Sequence, residues 1–74
     1  MILPNKHIDL QHSLLGTGAV ILRNLDRPQS VTALWGQVRS LPEVGYYGRF
    51  ILTLSFLYAI GAIGFNNRTI VRHQ

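Results

Sequence analysis

Between Phe50 and Ile63 the chain carries no charged side chain. In a chain of 74 residues this segment limits what the fold can be. Projected at about 100° per residue it has two apolar stripes rather than one. Phe50, Leu54, Leu57 and Gly61 form the first, with Tyr58 at its edge. Leu52, Phe56, Ala59 and Ile63 form the second, on the opposite side. A helix on the outside of a small domain should turn one polar face to water. This one does not, so its second side needs a cover: lipid, another part of the chain, or another protein.

Length bears on the lipid option. Extended to Gly64 and Phe65 the uncharged run reaches 16 residues, roughly 24 Å of helix against a hydrocarbon core of about 30 Å. It also contains Thr53, Ser55 and two glycines. Met1-Ile2-Leu3 is followed at once by Pro4, which does not read as a signal peptide. The expectation is a cytoplasmic protein, with a short membrane protein as a third reading.

Composition favours a protein that finishes its core with a partner. Hydrophobic residues make up 47% and charged residues 14%, the latter well below the roughly 25% of ordinary domains. Without cysteine there is no disulfide staple or thiolate metal site. The net charge of +4 permits contact with nucleic acid or an acidic protein without requiring either.

Periodicity and chain breakers give one mainly α domain over residues 1–74. Met1–Leu3 is an apolar stretch, a candidate edge strand or partner-binding arm. A first helix is expected over about residues 10–24, with Leu14, Gly18, Ile21 and Leu25 as one row and Leu15, Ala19 and Leu22 beside it. Asp26-Arg27-Pro28 breaks the chain, and Ser30 is the expected N-cap of a second helix over about 30–41, which Pro42 stops. The third helix runs over about 47–60, with Gly61 and Gly64 available to end it. A hairpin over about 62–72 follows, turning at Asn66-Asn67, with Arg68 and Arg72 on its return strand. Helix, helix, helix, hairpin is the winged helix-turn-helix plan.

Several segments resemble a known family. Ser13-Leu14-Leu15-Gly16-Thr17-Gly18-Ala19, Leu34-Trp35, the run from Leu54 to Ile63, and the opening Pro4-x-Lys6-His7 are similar to the small middle components of ABC-three-component systems. The likeness covers nearly the whole chain, although no single motif in it is chemically specific. The resemblance implies a prokaryotic antiphage or anti-plasmid defence module. In such a module a small winged-helix-like subunit sits beside an SMC-like ABC ATPase and a variable effector, as a connector rather than the catalyst.

The residues offer little chemistry of their own. Asp9, Asp26 and Glu43 lie in separate segments, so no carboxylate pair is placed for acid–base work. Asp9, His12 and Ser13 read as a polar helix start rather than a triad. His7 and His12 are five apart, not the i, i+4 helical clamp, and His73 lies near the end of the chain. No cofactor, metal or small-molecule substrate is expected. Gly16-Thr17-Gly18 lacks the remainder of a phosphate-binding loop and reads as a site of close helix packing.

Two functional surfaces remain. As a DNA reader the third helix is poor: Arg49 stands at its start, but it carries no Asn, Gln or Lys. Arg68 and Arg72 on the wing are the candidates for weak phosphate contact. The second apolar stripe suits a protein partner better, with Leu52, Phe56, Ala59 and Ile63 as anchors and Arg49 on the rim. Trp35 and Tyr58 are expected in the core. The resulting expectation is a non-catalytic adaptor that bridges an SMC-like ATPase and an effector. The alternative is a small DNA-binding winged-helix regulator.

Overall fold

A computed structural model describes the backbone of residues 3–73 and the side chains of residues 13–73. The element order is α1 (Leu3–Asn24), α2 (Val31–Val38), α3 (Tyr47–Ala59), β1 (Ile63–Asn66) and β2 (Thr69–Arg72). Three helices followed by an antiparallel hairpin make a winged-helix-like arrangement, as the sequence suggests.

The first helix starts earlier than expected. It covers 22 residues and opens at Leu3 instead of about residue 10. Pro4 therefore lies in the first turn, where its missing N–H would have had no intrahelical partner and its fixed φ already suits a helix. The candidate edge strand gives way to helix at Leu3, while Met1 and Ile2 lie outside the described residues. The expected inner row does reach the core: Leu14, Gly18, Ile21 and Leu25 are all buried. The second row does not, since Leu15 and Ala19 are exposed and Leu22 is half-buried.

Helix α2 begins where the sequence places it. Ser30 sits in extended backbone and its Oγ accepts from the Ala33 N–H at 3.0 Å, a cap worth about 1 kcal/mol. Helix α3 ends at Gly61, whose φ of +79° an L side chain would resist. Gly61 N–H donates to the Tyr58 carbonyl and Ala62 N–H to the Leu57 carbonyl. This paired closure satisfies the last carbonyls of the helix and turns the chain into the hairpin. Gly64, the second expected stop, belongs to β1 instead.

The hairpin turns one residue later than expected. Asn66 pairs with Thr69, so the loop is Asn67-Arg68, with φ of 53° and 68°, the signature of a type I′ turn. Arg68 thus occupies the wing tip and not the return strand; Arg72 stays on β2. The register is anchored away from the turn. His73 N–H donates to the Ala62 carbonyl, and Ile70 exchanges both backbone hydrogen bonds with Gln29 on its other edge. That single bridge ties the wing to the α1–α2 linker. The Gln29 side chain, itself buried, donates to the Asn24 carbonyl at 3.0 Å.

One apolar cluster joins all five elements. Val20 and Ile21 from α1 and Leu25 just after it meet Leu34 and Val38 from α2, Phe50, Leu54 and Leu57 from α3, Val44 from the loop, and Ile63 and Ile70 from the wing. Phe50 lies at its centre, fully buried, with the Trp35 ring 5.1 Å from its own. Among the described residues no buried side-chain N or O lacks a hydrogen-bond partner.

Candidate partner-binding face

The two sides of α3 are finished differently. Toward α1 the packing is close. A Cβ built on Gly18 would lie 2.9 Å from Leu57 Cδ2, so glycine is what lets the helices approach. Beside it Thr17, 2% exposed, donates its hydroxyl to the Glu43 carbonyl at 3.0 Å and accepts from Arg49 Nε at 3.2 Å. Arg49 Nη2 also donates to the Ser13 carbonyl at 3.4 Å. Thr17 and Gly18 accordingly form a packing and hydrogen-bonding seam, whereas Gly16, expected to pack closely as well, is exposed with nothing within 4 Å of a built Cβ. Arg49, expected on the rim of a partner surface, is half-buried and turned back onto α1.

Away from α1 the helix is open and uncharged. Ile51, Leu52, Ser55, Tyr58 and Ala59 are all exposed. Ser55, the polar member, spends its hydroxyl on the Ile51 carbonyl at 3.0 Å. Tyr58, expected in the core, is 58% exposed. Its helical position is at the edge of the buried stripe, and Val31 of α2 beside it is only half-buried. Trp35, by contrast, packs against the core as expected.

The wing extends this open face. Ile63, Phe65 and Ile70 share one side of the hairpin, because Phe65 pairs with Ile70 and Ile63 is two residues along. Ile63 and Ile70 enter the core. Phe65 lies beyond its edge, 54% exposed, with its ring 5.4 Å from that of Tyr58. Val31, Ile51, Leu54, Ser55, Tyr58 and Phe65 line a groove of about 260 Å³. The sequence projection missed this groove. Its visible trace is the i, i+4, i+7 spacing of Ile51, Ser55 and Tyr58; Phe65 joins only once the hairpin folds back.

The anchors expected on the second stripe are divided among different surroundings. Leu52 is 48% exposed and Ala59 is exposed. Phe56 is half-buried and packs against the core. Ile63 is buried at 1% exposure; the helix has already ended, so helical projection no longer describes its direction. On the wing, Arg68 is exposed at the tip. Arg72 Nη1 donates to the Leu22 carbonyl at 3.1 Å, at the C-terminal end of α1 where carbonyls lack helical partners.

Other chemistry is sparse. Among the described residues no group of three or more His, Cys, Asp or Glu side chains could hold a metal ion. His73 lies against the wing, with Nδ1 3.1 Å from the Gly61 carbonyl. No helix among the described residues is long and apolar enough to cross a membrane.

The described residues form a winged-helix-like body with an uncharged exposed face on α3. The model of the ABC-three component (ABC-3C) system Middle Component 6 family matches residues 3–73. The chain belongs to this family, as the resemblance in its sequence indicates. No curated protein and no solved structure matches it.

Proposed function

We propose that this middle component is a non-catalytic adaptor that joins an SMC-like ABC ATPase to an effector within an antiphage or anti-plasmid defence complex. The observation that carries the reading is the exposed side of α3. Ile51, Leu52, Tyr58 and Ala59 turn outward without one charge among them, and the wing adds Phe65. Apolar surface of this kind in so small a domain marks an interaction site. Aromatic and aliphatic anchors of this size can dominate an interface. Membership in a family of middle components supports partners that are other subunits of the same system. The proposed mechanism is mechanical: the ATPase changes shape on sensing DNA, and this subunit transmits or restrains that change at the effector.

The same face gives little support to a stand-alone DNA reader. Major-groove readout needs side chains that hydrogen-bond base edges, and the exposed positions of α3 offer aliphatic, aromatic and small groups. Arg68 remains available for a phosphate contact inside a larger assembly.

Bridging can be tested directly. An SMC-like ATPase and an effector of the same ABC-three-component system are co-expressed with and without this chain, and the ATPase is affinity-purified. The adaptor reading expects the effector to be retained only when the chain is present, and to be lost with Leu52→Asp. Equal retention of the effector without the chain overturns it.

A further inference from the structure

An arginine stands beyond the lining residues at each end of the groove's walls. Its α2 wall starts at Val31 and continues on the same side of the helix through Trp35 to Arg39, at i, i+4 and i+8. Arg39 still has helical backbone as the C-cap of α2. Its guanidinium lies over the Trp35 ring, 5.9 Å from the centroid, which limits the conformations it can take. Tyr47, four residues before Ile51, closes the same end, its ring set nearly perpendicular to that of Trp35 with centroids 5.1 Å apart. At the opposite end the wing turns one rung beyond Phe65 and presents Arg68. None of the three acids stands on α2, α3 or the hairpin: Asp9 is in α1, Asp26 in the linker and Glu43 in the loop before α3. The apolar floor therefore lies between two exposed arginines with no carboxylate on its walls.

We infer that the groove receives an amphipathic helix of a partner subunit that carries acidic residues at both ends of its apolar stripe. This rests on the adaptor reading and specifies which chemistry the partner presents. Helix-in-groove docking uses apolar anchors at i, i+3, i+4 and i+7, and the floor of Ile51, Tyr58 and Phe65 suits such anchors. Carboxylates at the two ends would meet Arg39 and Arg68, aligning the helix along the groove and speeding encounter. Charge argues against the other occupants. A second copy would bring the same arginines and the same +4 chain charge to the contact. A nucleic acid would find phosphate contacts at the ends but, along the floor, only the Tyr58 hydroxyl as a free side-chain donor.

The experiment measures association of the chain with its co-expressed ATPase and effector by surface interferometry over a range of salt. The charge reversal Arg39→Glu with Arg68→Asp is compared with Arg23→Glu with Arg27→Glu, which changes net charge equally away from the groove. Asp is chosen at position 68 because it tolerates positive φ better than most residues. The groove pair is expected to lower the association rate by roughly tenfold and to flatten its salt dependence, while the control pair leaves both nearly unchanged. A photo-crosslinking side chain at position 58 is expected to attach to an acid-flanked helix of one partner subunit. If wild type binds but the two pairs behave alike, or if the crosslink falls on a second copy or on nucleic acid, the inference fails while the adaptor reading stands. If wild type binds neither subunit, both fail.

Discussion

The seam between α1 and α3 and the groove between α2, α3 and the wing lie on opposite sides of one helix. On the seam, Gly18 removes a side chain, Thr17 and Arg49 are tied by hydrogen bonds, and Leu57 is 3% exposed. On the groove, Ile51, Tyr58 and Phe65 are large and partly or largely open, and the Ser55 hydroxyl is bonded to its own helix. Only the seam is completed by the chain itself. The difference shows where the domain spends its few core-forming elements: α2, at 8 residues, is too short to cover the outer face of a 13-residue α3.

That contrast can be broken first on the closed side. Gly18→Val would push a branched side chain into Leu57. Overpacking of this kind costs about 1–3 kcal/mol, a large share of the stability of so small a domain. Thermal unfolding followed by circular dichroism should show a clear drop in Tm. An unchanged Tm would mean that the seam is looser than its geometry. A smaller effect of opposite sign sharpens the comparison. Gly16, two residues away and exposed, has nothing within 4 Å of a built Cβ. Gly16→Ala should therefore stabilise the domain by about 0.5–1 kcal/mol through helix propensity alone. Two neighbouring glycines would then respond oppositely to added side chains, because only one faces a helix.

Much of the seam was legible in the sequence, and little of the groove. The row Leu14, Gly18, Ile21 and Leu25 and the row Phe50, Leu54 and Leu57 are local periodic signals, and tertiary packing follows them. Ser30 as cap and Gly61 as stop depend on one or two backbone hydrogen bonds, so they too can be read locally. The groove depends on where the hairpin returns. Phe65 reaches Tyr58 only because Gly61 reverses the chain and Gln29 holds Ile70. Gln29 acts through a single bridge that has no period. Ile63 fell on the wrong side of the projection because the helix ends before it. Arg49 was misplaced because its partners are the Ser13 carbonyl and the Thr17 hydroxyl, and a long flexible side chain carries no sequence mark of which neighbour it will choose. The turn slipped by one residue because Asn66-Asn67 and Asn67-Arg68 both supply a residue tolerant of positive φ. The long-range bonds at Ile70 and His73 decide between them.

The central claim is that the outer face of α3 serves binding and contributes little to folding. The most direct measurement combines Leu52→Ser and Tyr58→Ser, at positions 48% and 58% exposed, in one variant and reads its unfolding midpoint together with its retention on the co-expressed ATPase and effector. Exposed positions of this kind change stability by about 0.5 kcal/mol or less each. A near wild-type midpoint and loss of co-purification are expected. A variant that unfolds outright, or one that folds and is retained as well as wild type, would contradict that claim.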